Sequence, residues 1–424
     1  MRVLLVNTSE RTGGAAVAAN RLMEALNNNG VKVKMLVRDK ETQQVTVSAL
    51  PKSWRLQWHF LWERLVIWMH LGFKREHLFD IDIANSGTDI TKLPEFKEAD
   101  VIHLHWVNQG MLSLKDIQRI LASGKPVVWT MHDIWPVTAI CHYARGCEQY
   151  HVECQDCPLL PGKNKKGLAN KVWKKKAEIL KGHNITFVTC SEWLAEEACK
   201  SALLHGQNII SIPNTIDTNI FRLQYKKKPK QHFGLPEDRS YILFVSQRVT
   251  DPRKGMDYFV EAIRILVDMH PEIREKMGVA ILGGHAEEVA SRLAMPAYPL
   301  GYVSDPEYVA QAYSVADVFV LPSLEDNLPN TIMEAMACAI PCVGFRTGGI
   351  PEMIDHRKNG YVANPCDADD LARGLNYVLF EADYDSLMNK CLSKVARSYS
   401  QRNVARRYTE VYEQSFRPQR HCKS

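Results

Sequence analysis

Continuously apolar, β-branched runs alternate with stretches of helical period along almost the whole chain. "RVLLVN", "VKVKMLVR", "VIHLHW", "PVVWTMHD", "ITFVTCS" and "IISIPN" are the strands expected in the first half. "YILFVSQ", "GVAILGG", "DVFVLPS" and "PCVGF" are those expected in the second. Strands that are apolar on both faces and separated by helices belong to parallel sheets covered on two sides. Two such series predict two doubly wound domains. At 424 residues the chain is also too long for one comfortable core. Residues 212–240, "IPNTIDTNIFRLQYKKKPKQHFGLPEDRS", carry turn residues and a basic run, and read as a linker before a strand at Tyr241. The expected division is 1–222 and 223–401, with a closing helix over about 402–424 joined to the first domain.

In open α/β sheets, ligands bind beyond the carboxyl ends of the strands. The loops after strands are therefore the candidate site. After the first strand, Gly13 and Gly14 open a helical run rich in small residues, where backbone and phosphate could approach closely. The spacing is not a dinucleotide fingerprint, and a plain strand-to-helix turn is the alternative. After "YILFVSQ", Arg248 and Lys254 lie between a strand end and a helix. Two cations there suit a diphosphate clamp that neutralises a leaving group, with a solvated basic turn as the alternative. After "DVFVLPSL" come Glu325, Asp326 and Asn327, then a helix that Asn330 or Thr331 could cap. Glu334 falls about one turn inside it, where a carboxylate can accept hydrogen bonds from sugar hydroxyls. Acids that merely favour a helix N-terminus are the simpler reading for any one of these.

Composition narrows the class. Hydrophobic residues make 46% of the chain, charged residues 24%, and the formal net charge is +5. That balance suits an anionic ligand or membrane surface and does not call for nucleic acid. No run approaches the roughly 20 apolar residues that span a bilayer. The first residues read as a strand, not a signal peptide, so a cytoplasmic location is expected. Eleven cysteines are then more naturally thiols or metal ligands than disulfides. Four of them, Cys141, Cys147, Cys154 and Cys157, fall in "CHYARGCEQYHVECQDCP", with His142 and His151 nearby. This predicts a candidate structural zinc, with packed thiols as the alternative. Finally, "SWRLQWHFLWERLVIWMHLGF" places Trp54, Trp58, Leu61, Leu65 and Trp68 at near-helical spacing. A core or dimer helix explains it, as does a helix lying in a membrane interface and helped by "KKGLANKVWKKK".

"RVTDPRKG", "LGYVSDPEYVAQAYSVADVFVLPSLEDNLPNTIMEAMACAIPCVGF" and "TGGIPEMI" resemble the retaining nucleotide-sugar glycosyltransferases of family four, among them those of bacterial cell-surface polysaccharides. The resemblance implies the GT-B fold, two Rossmann-like domains facing an interdomain cleft. It implies an acceptor-side N-terminal domain and a nucleotide-sugar donor held mainly by the C-terminal one. Arg248 and Lys254 match the family's diphosphate clamp, and Glu334 the acid that holds the ribose hydroxyls. The partner acid stands eight positions earlier, at Asp326; Glu325 stands nine earlier. The usual pattern has Glu there, followed by a glycine-rich segment, whereas this chain has Asp326-Asn327-Leu328-Pro329. His132, in "TMHDIWP", matches the residue directed at the donor sugar near the reacting carbon, and Gly13 and Gly14 the loop near the diphosphate. Thr331 and Asn327 join the expected donor contacts. The implied reaction is metal-independent hexosyl transfer to a saccharide, which could be lipid-linked. A nucleotide-sugar epimerase on the same fold and a non-catalytic nucleotide-sugar-binding protein are the rivals.

Overall fold

The computed structural model describes residues 1–162 and 164–416. The chain forms two compact units, Met1–Pro213 with the segment from Val404 onward, and Asn214–Asn403. The division falls nine residues before the expected 222/223 boundary. The reason is local bonding. Thr215 Oγ1 donates to the Tyr399 carbonyl at 3.0 Å, the Ile216 amide to the same carbonyl at 3.1 Å, and the Phe221 ring stands edge-on to Tyr313. These contacts tie the start of the linker to the second unit.

The first unit is built on β1 (Arg2–Ser9), β2 (Lys32–Asp39), β3 (Val47–Ala49), β4 (Val101–Leu104), β5 (Val127–Met131), β6 (Thr186–Thr189) and β7 (Asn208–Ser211). All pairs are parallel, in the order β3-β2-β1-β4-β5-β6-β7. The second unit has β8 (Ser240–Arg248), β9 (Met277–Gly284), β10 (Ala297–Gly301), β11 (Val318–Leu321), β12 (Cys342–Phe345) and β13 (Gly360–Ala363). Its parallel order is β10-β9-β8-β11-β12-β13. Both sheets are doubly wound. The chain reverses direction across the sheet between β1 and β4 in one, and between β8 and β11 in the other.

Alternate residues of each strand feed opposite faces. Leu4 and Val6 of β1 join Ile102, Leu104, Trp129 and Phe187 on one side; Val3 and Leu5 join Val33, Val128 and Val188 on the other. The second face is covered in part by the returning helix Gln401–Ser415, through Val404, Tyr408, Val411 and Tyr412. Its tyrosines also satisfy polar groups inside the sheet. Tyr412 Oη lies 2.8 Å from His103 Nδ1, and Tyr408 Oη 3.0 Å from Thr130 Oγ1. The part of the expected closing helix beyond residue 416 lies outside the described residues.

The helix Trp54–His70 is inside out. Its buried residues are Glu63, Arg64 and Ile67, while Trp54 is 72% exposed, Trp58 50% and Leu61 58%. A core-packing role for its tryptophans, expected from the spacing, is not what forms. The inward charges are matched in large part, though Glu63 Oε2 and Arg64 Nε make no hydrogen bond among the described residues. Glu63 Oε1 accepts the amides of Ile83 and Ala84 at 3.0 and 2.6 Å. Arg64 pairs with Asp82, whose other oxygen lies 2.6 Å from His142 Nε2. His142 Nδ1 lies 2.7 Å from Asp133, and Asp133 accepts the Trp106 indole N–H at 2.9 Å and the Trp135 amide at 2.9 Å. A chain of buried charges thus runs from this helix to the turn after β5. Both ring nitrogens of His142 face carboxylates, which can only accept, so the ring is an imidazolium. Burial pulls its pKa down, but Asp133 and then Asp82 more than offset this and hold it at about 10.

That pKa lies above the ordinary 6.5 of an unfolded histidine. The stabilisation is therefore fully present below about pH 6.5 and is lost as pH rises through 10. We expect the stability gap between wild type and His142→Gln, from urea unfolding at fixed pH, to narrow across that window by up to about 1.4 kcal/mol per pH unit. A gap that stays constant with pH would show that His142 is not charged in the fold.

Candidate functional site

The second unit supplies the more complete constellation, and its topology says where. β8 and β11 are neighbours at the point where the winding reverses, the place where open sheets bind ligands. Arg248 is the last residue of β8. Its side chain is exposed, its Nε donates to Thr250 Oγ1 at 3.0 Å, and it makes no ion pair among the described residues. A short turn, Pro252–Lys254, follows, opened by Asp251, whose carboxylate accepts the Arg253 amide at 3.0 Å. Gly255 closes that turn with φ of 70°, and a Cβ there would run into the Pro322 carbonyl. Only glycine meets both demands at once.

The loop after β11 leans directly on this turn. The Leu324 amide donates to the Arg253 carbonyl at 2.7 Å. Lys254 Nζ then lies 2.6 Å from Asp326 Oδ2, both side chains partly buried. Asp326 thus pairs with Lys254, and Glu325 is half-buried in the same loop. A third loop supports the pair from behind. Gly348, with φ of 51°, abuts the Asp326 carbonyl so closely that a Cβ would overlap it, and the Gly349 amide donates to the Asn327 carbonyl at 2.8 Å. Asn327 is buried; Thr331 is half-buried on the first turn of the next helix.

That helix spans Asn330–Ala337. Neither Asn330 nor Thr331 caps it. Pro329 precedes it with φ of −66° and no side-chain cap, because proline already carries the helical φ and has no N–H to satisfy. Asn330 instead accepts from Asn214 Nδ2 at 3.0 Å. Glu334 is 7% exposed, and its Oε2 accepts the Tyr313 hydroxyl at 2.8 Å.

In the first unit the corresponding reversal lies between β1 and β4. Their ends are joined: the Trp106 amide donates to Asn7 Oδ1 at 3.0 Å, and the Thr8 amide to the Trp106 carbonyl at 2.8 Å. Gly13, with φ of 94°, leads into the helix Gly14–Asn28, whose first turn carries no acid. His132 follows β5. Its Nε2 lies 3.0 Å from His105 Nδ1, and its Nδ1 3.6 Å from Cys190 Sγ. Burial pulls the His132 pKa down to about 4 against the opposing charge of Asp133. At neutral pH it is an uncharged imidazole, able to exchange a hydrogen bond with a hydroxyl but not to supply a positive charge.

Sequence reasoning did not single out His105, Tyr313, Gly348 or the Asp82–His142–Asp133 chain. Two had a signal. "VIHLHW" places His105 just past a strand end, and "TGG" is a strand-end turn needing a positive φ. Tyr313 and Asp82 had none, since their partners are 21 and 60 positions away.

The four clustered cysteines line one cavity of about 20 Å³, with Thr138, Tyr150 and Leu159 among its walls. Burial raises the Cys141 and Cys154 thiols to about 12. The donor set suits zinc. Among the described residues, however, no three His, Cys, Asp or Glu side chains stand in metal-holding geometry. The cavity the four cysteines line is roughly the size of one water.

Known proteins match both units. Among curated relatives, an uncharacterized glycosyltransferase of Methanocaldococcus jannaschii is 28% identical over 53% of this chain and 59% of its own. The sulfoquinovosyl transferase SQD2 of Arabidopsis thaliana is 31% identical over 46% and 40%. D-inositol 3-phosphate glycosyltransferase 2 of Catenulispora acidiphila is 29% identical over 42% and 44%. The chain thus spans about half the length of the curated relatives it matches. Among solved structures, sucrose-phosphate synthase from Thermosynechococcus elongatus superposes with a TM-score of 0.66 at 19% identity, over 98% of this chain and 99% of that one. Anabaena HepE in complex with UDP-glucose gives 0.65 at 14%, over 98% and 100%. Residues 12–220 match the family model "Glycosyltransferase Family 4" and residues 239–380 the model "Glycosyl transferases group 1". With its two doubly wound parallel sheets, the chain belongs to the family-four type of glycosyltransferases of the GT-B fold.

Proposed function

We propose that the chain is a retaining, metal-independent glycosyltransferase. It takes a hexose-type sugar from a nucleotide-diphosphate sugar and adds it to a growing cell-surface saccharide, lipid-linked, at the cytoplasmic face of the membrane. The observation that carries the reading is the Lys254–Asp326 pair set beside Arg248 at the β8/β11 reversal. As the glycosidic bond breaks, negative charge grows on the leaving diphosphate. Arg248 and Lys254 stabilise it in the role a divalent cation would otherwise fill. Glu334 takes the ribose hydroxyls. Asp326, with Glu325, Asn327 and Thr331 around it, takes the sugar. In the first unit, His132 is a neutral hydrogen-bonding group suited to a sugar hydroxyl, and the Gly13–Gly14 turn suits a phosphate. The acceptor attacks on the face the diphosphate leaves, and the leaving phosphate takes its proton, so no carboxylate nucleophile is required. A structural neighbour holding UDP-glucose supports a nucleotide-sugar donor.

The membrane side of the reading rests on the helix Trp54–His70. No helix of the described residues is long and apolar enough to cross a membrane. Trp54, Trp58, Leu61, Trp62, Leu65 and Met69 are nonetheless all exposed along this one helix. Lys52, Arg55, Lys74 and Arg75 flank them in the open, and the one acid between residues 51 and 75, Glu63, is buried. An apolar face rimmed by four exposed cations, with Glu76 the one exposed acid beside Arg75, suits an anionic lipid surface.

Lys254→Ala should lower acceptor-dependent transfer by roughly 10³-fold or more, by analogy with other lost transition-state donors. EDTA should leave wild-type transfer unchanged. Normal turnover by folded Lys254→Ala would refute the clamp. Radiolabelled donor isomerised without acceptor, or bound and unchanged, would favour the epimerase or the binding protein. In flotation, the protein should rise with phosphatidylglycerol vesicles but not with phosphatidylcholine, and Trp54→Ala/Trp58→Ala should sink. Equal sedimentation in every case would remove the membrane contact.

A further inference from the structure

Glu334 is a buried carboxylate, and a buried carboxylate needs an oriented donor. Tyr313 provides one. It lies near the end of the helix Pro306–Ser314, and its ring is fully buried. Phe319 of β11 meets that ring edge-on at 5.7 Å and 71°, and Phe221 of the linker does so at 6.4 Å and 64°. Held on two sides by aromatic edges, the ring has little freedom to swing. Its one polar atom, the hydroxyl, donates to Glu334 Oε2 at 2.8 Å. A hydroxyl bonded to a carboxylate is about twice as strong as a neutral pair. It holds Oε2 against the tyrosine and so limits how the carboxylate can turn.

We propose that Tyr313 is the positioning residue that sets Glu334 to receive the vicinal hydroxyls of a ribose, and so gives this chain its discrimination between ribonucleotide and deoxyribonucleotide donors. The inference rests on the donor reading above and deepens it. A diol presents two hydroxyls about 2.7–2.8 Å from a correctly turned carboxylate, and a rotated carboxylate reaches at most one of them well. Fixing the plane is therefore what separates recognition of a diol from recognition of any polar sugar. Phe221 extends the arrangement. The segment that opens the second unit braces the tyrosine that orients the acid.

Tyr313→Phe keeps the ring, its volume and its aromatic contacts, and removes the hydroxyl alone. Calorimetric titration would use uridine, guanosine and adenosine diphosphates and the 2′,3′-dideoxy form of each. Wild type should bind its preferred ribonucleotide about 10- to 100-fold tighter than the dideoxy form, the range expected for hydrogen bonds to a charged group. In Tyr313→Phe that ratio should fall below about threefold, through weaker binding of the ribonucleotide with the dideoxy affinity unchanged. A structural role alone would weaken both forms together, and that result would overturn the proposal. So would a ratio in Tyr313→Phe equal to that of wild type. If wild type binds nucleoside diphosphates without any ribose preference, the ribose role of Glu334 fails and this inference with it, while the clamp stands. If it binds none, the donor reading itself fails.

Discussion

A parallel strand buried on both faces has nowhere to keep a polar side chain except at its end. That constraint shapes both units. The side chains within β4, β5, β11 and β12 are buried from first to last. The polar groups that enter these sheets are few and fully matched, as His103 is by Tyr412 and Thr130. Chemistry is displaced to the carboxyl ends, and the reversal of winding opens room there between two loops that would otherwise pack together. Arg248 and Asp326 are at one such reversal, and Asn7, Thr8 and Trp106 at the other. The site's position follows from how the sheets are wound before any question of which residues it contains.

The two units handle charge differently. In the first, Arg64, Asp82, His142 and Asp133 form a buried chain: Asp82 and His142 each touch two others, Asp133 also accepts the Trp135 amide, and Arg64 also donates to the Leu78 carbonyl. Removing one partner of a buried pair typically costs about 3–5 kcal/mol, because the survivor is stranded. Such a chain cannot exchange partners, so it acts as scaffold, fixing the turn that carries His132. In the second unit, Lys254 and Asp326 keep 23% and 14% of their side-chain surface open to solvent. On the proposed reading, the lysine turns from Asp326 to the donor's phosphate.

Ten of the thirteen strands were legible because their apolar runs are continuous. The other three, β3, β10 and β13, all lie at sheet edges. An edge strand has one neighbour and is partly exposed, as β10 is throughout, so it lacks the unbroken apolar signature. The site was legible in the same measure. Arg248, Lys254, Asp326 and Glu334 are visible as charges after apolar runs. What stands behind Asp326 and Glu334 is not, because Gly348 and Tyr313 act through contacts that only the fold creates. The helix Trp54–His70 misled for a related reason. Tryptophans at helical spacing normally point inward, and the period reveals a face without saying which side of it is wet.

The departure at Asp326 gains a physical meaning from its neighbours. Aspartate is one methylene shorter than the usual glutamate, so its loop must come closer for the carboxylate to reach Lys254. Gly348 permits that approach, since any side chain there would meet the Asp326 carbonyl. Pro329 sets the exit, with its fixed φ and the extended preference it imposes on Leu328. The acid is thus placed by backbone constraint instead of side-chain reach, and it stands already joined to the lysine. On the proposed reading this alters the balance of the clamp. The Lys254–Asp326 pair contributes little net charge until the lysine turns away. The cation that first draws a diphosphate is then Arg248, exposed and with no ion pair among the described residues.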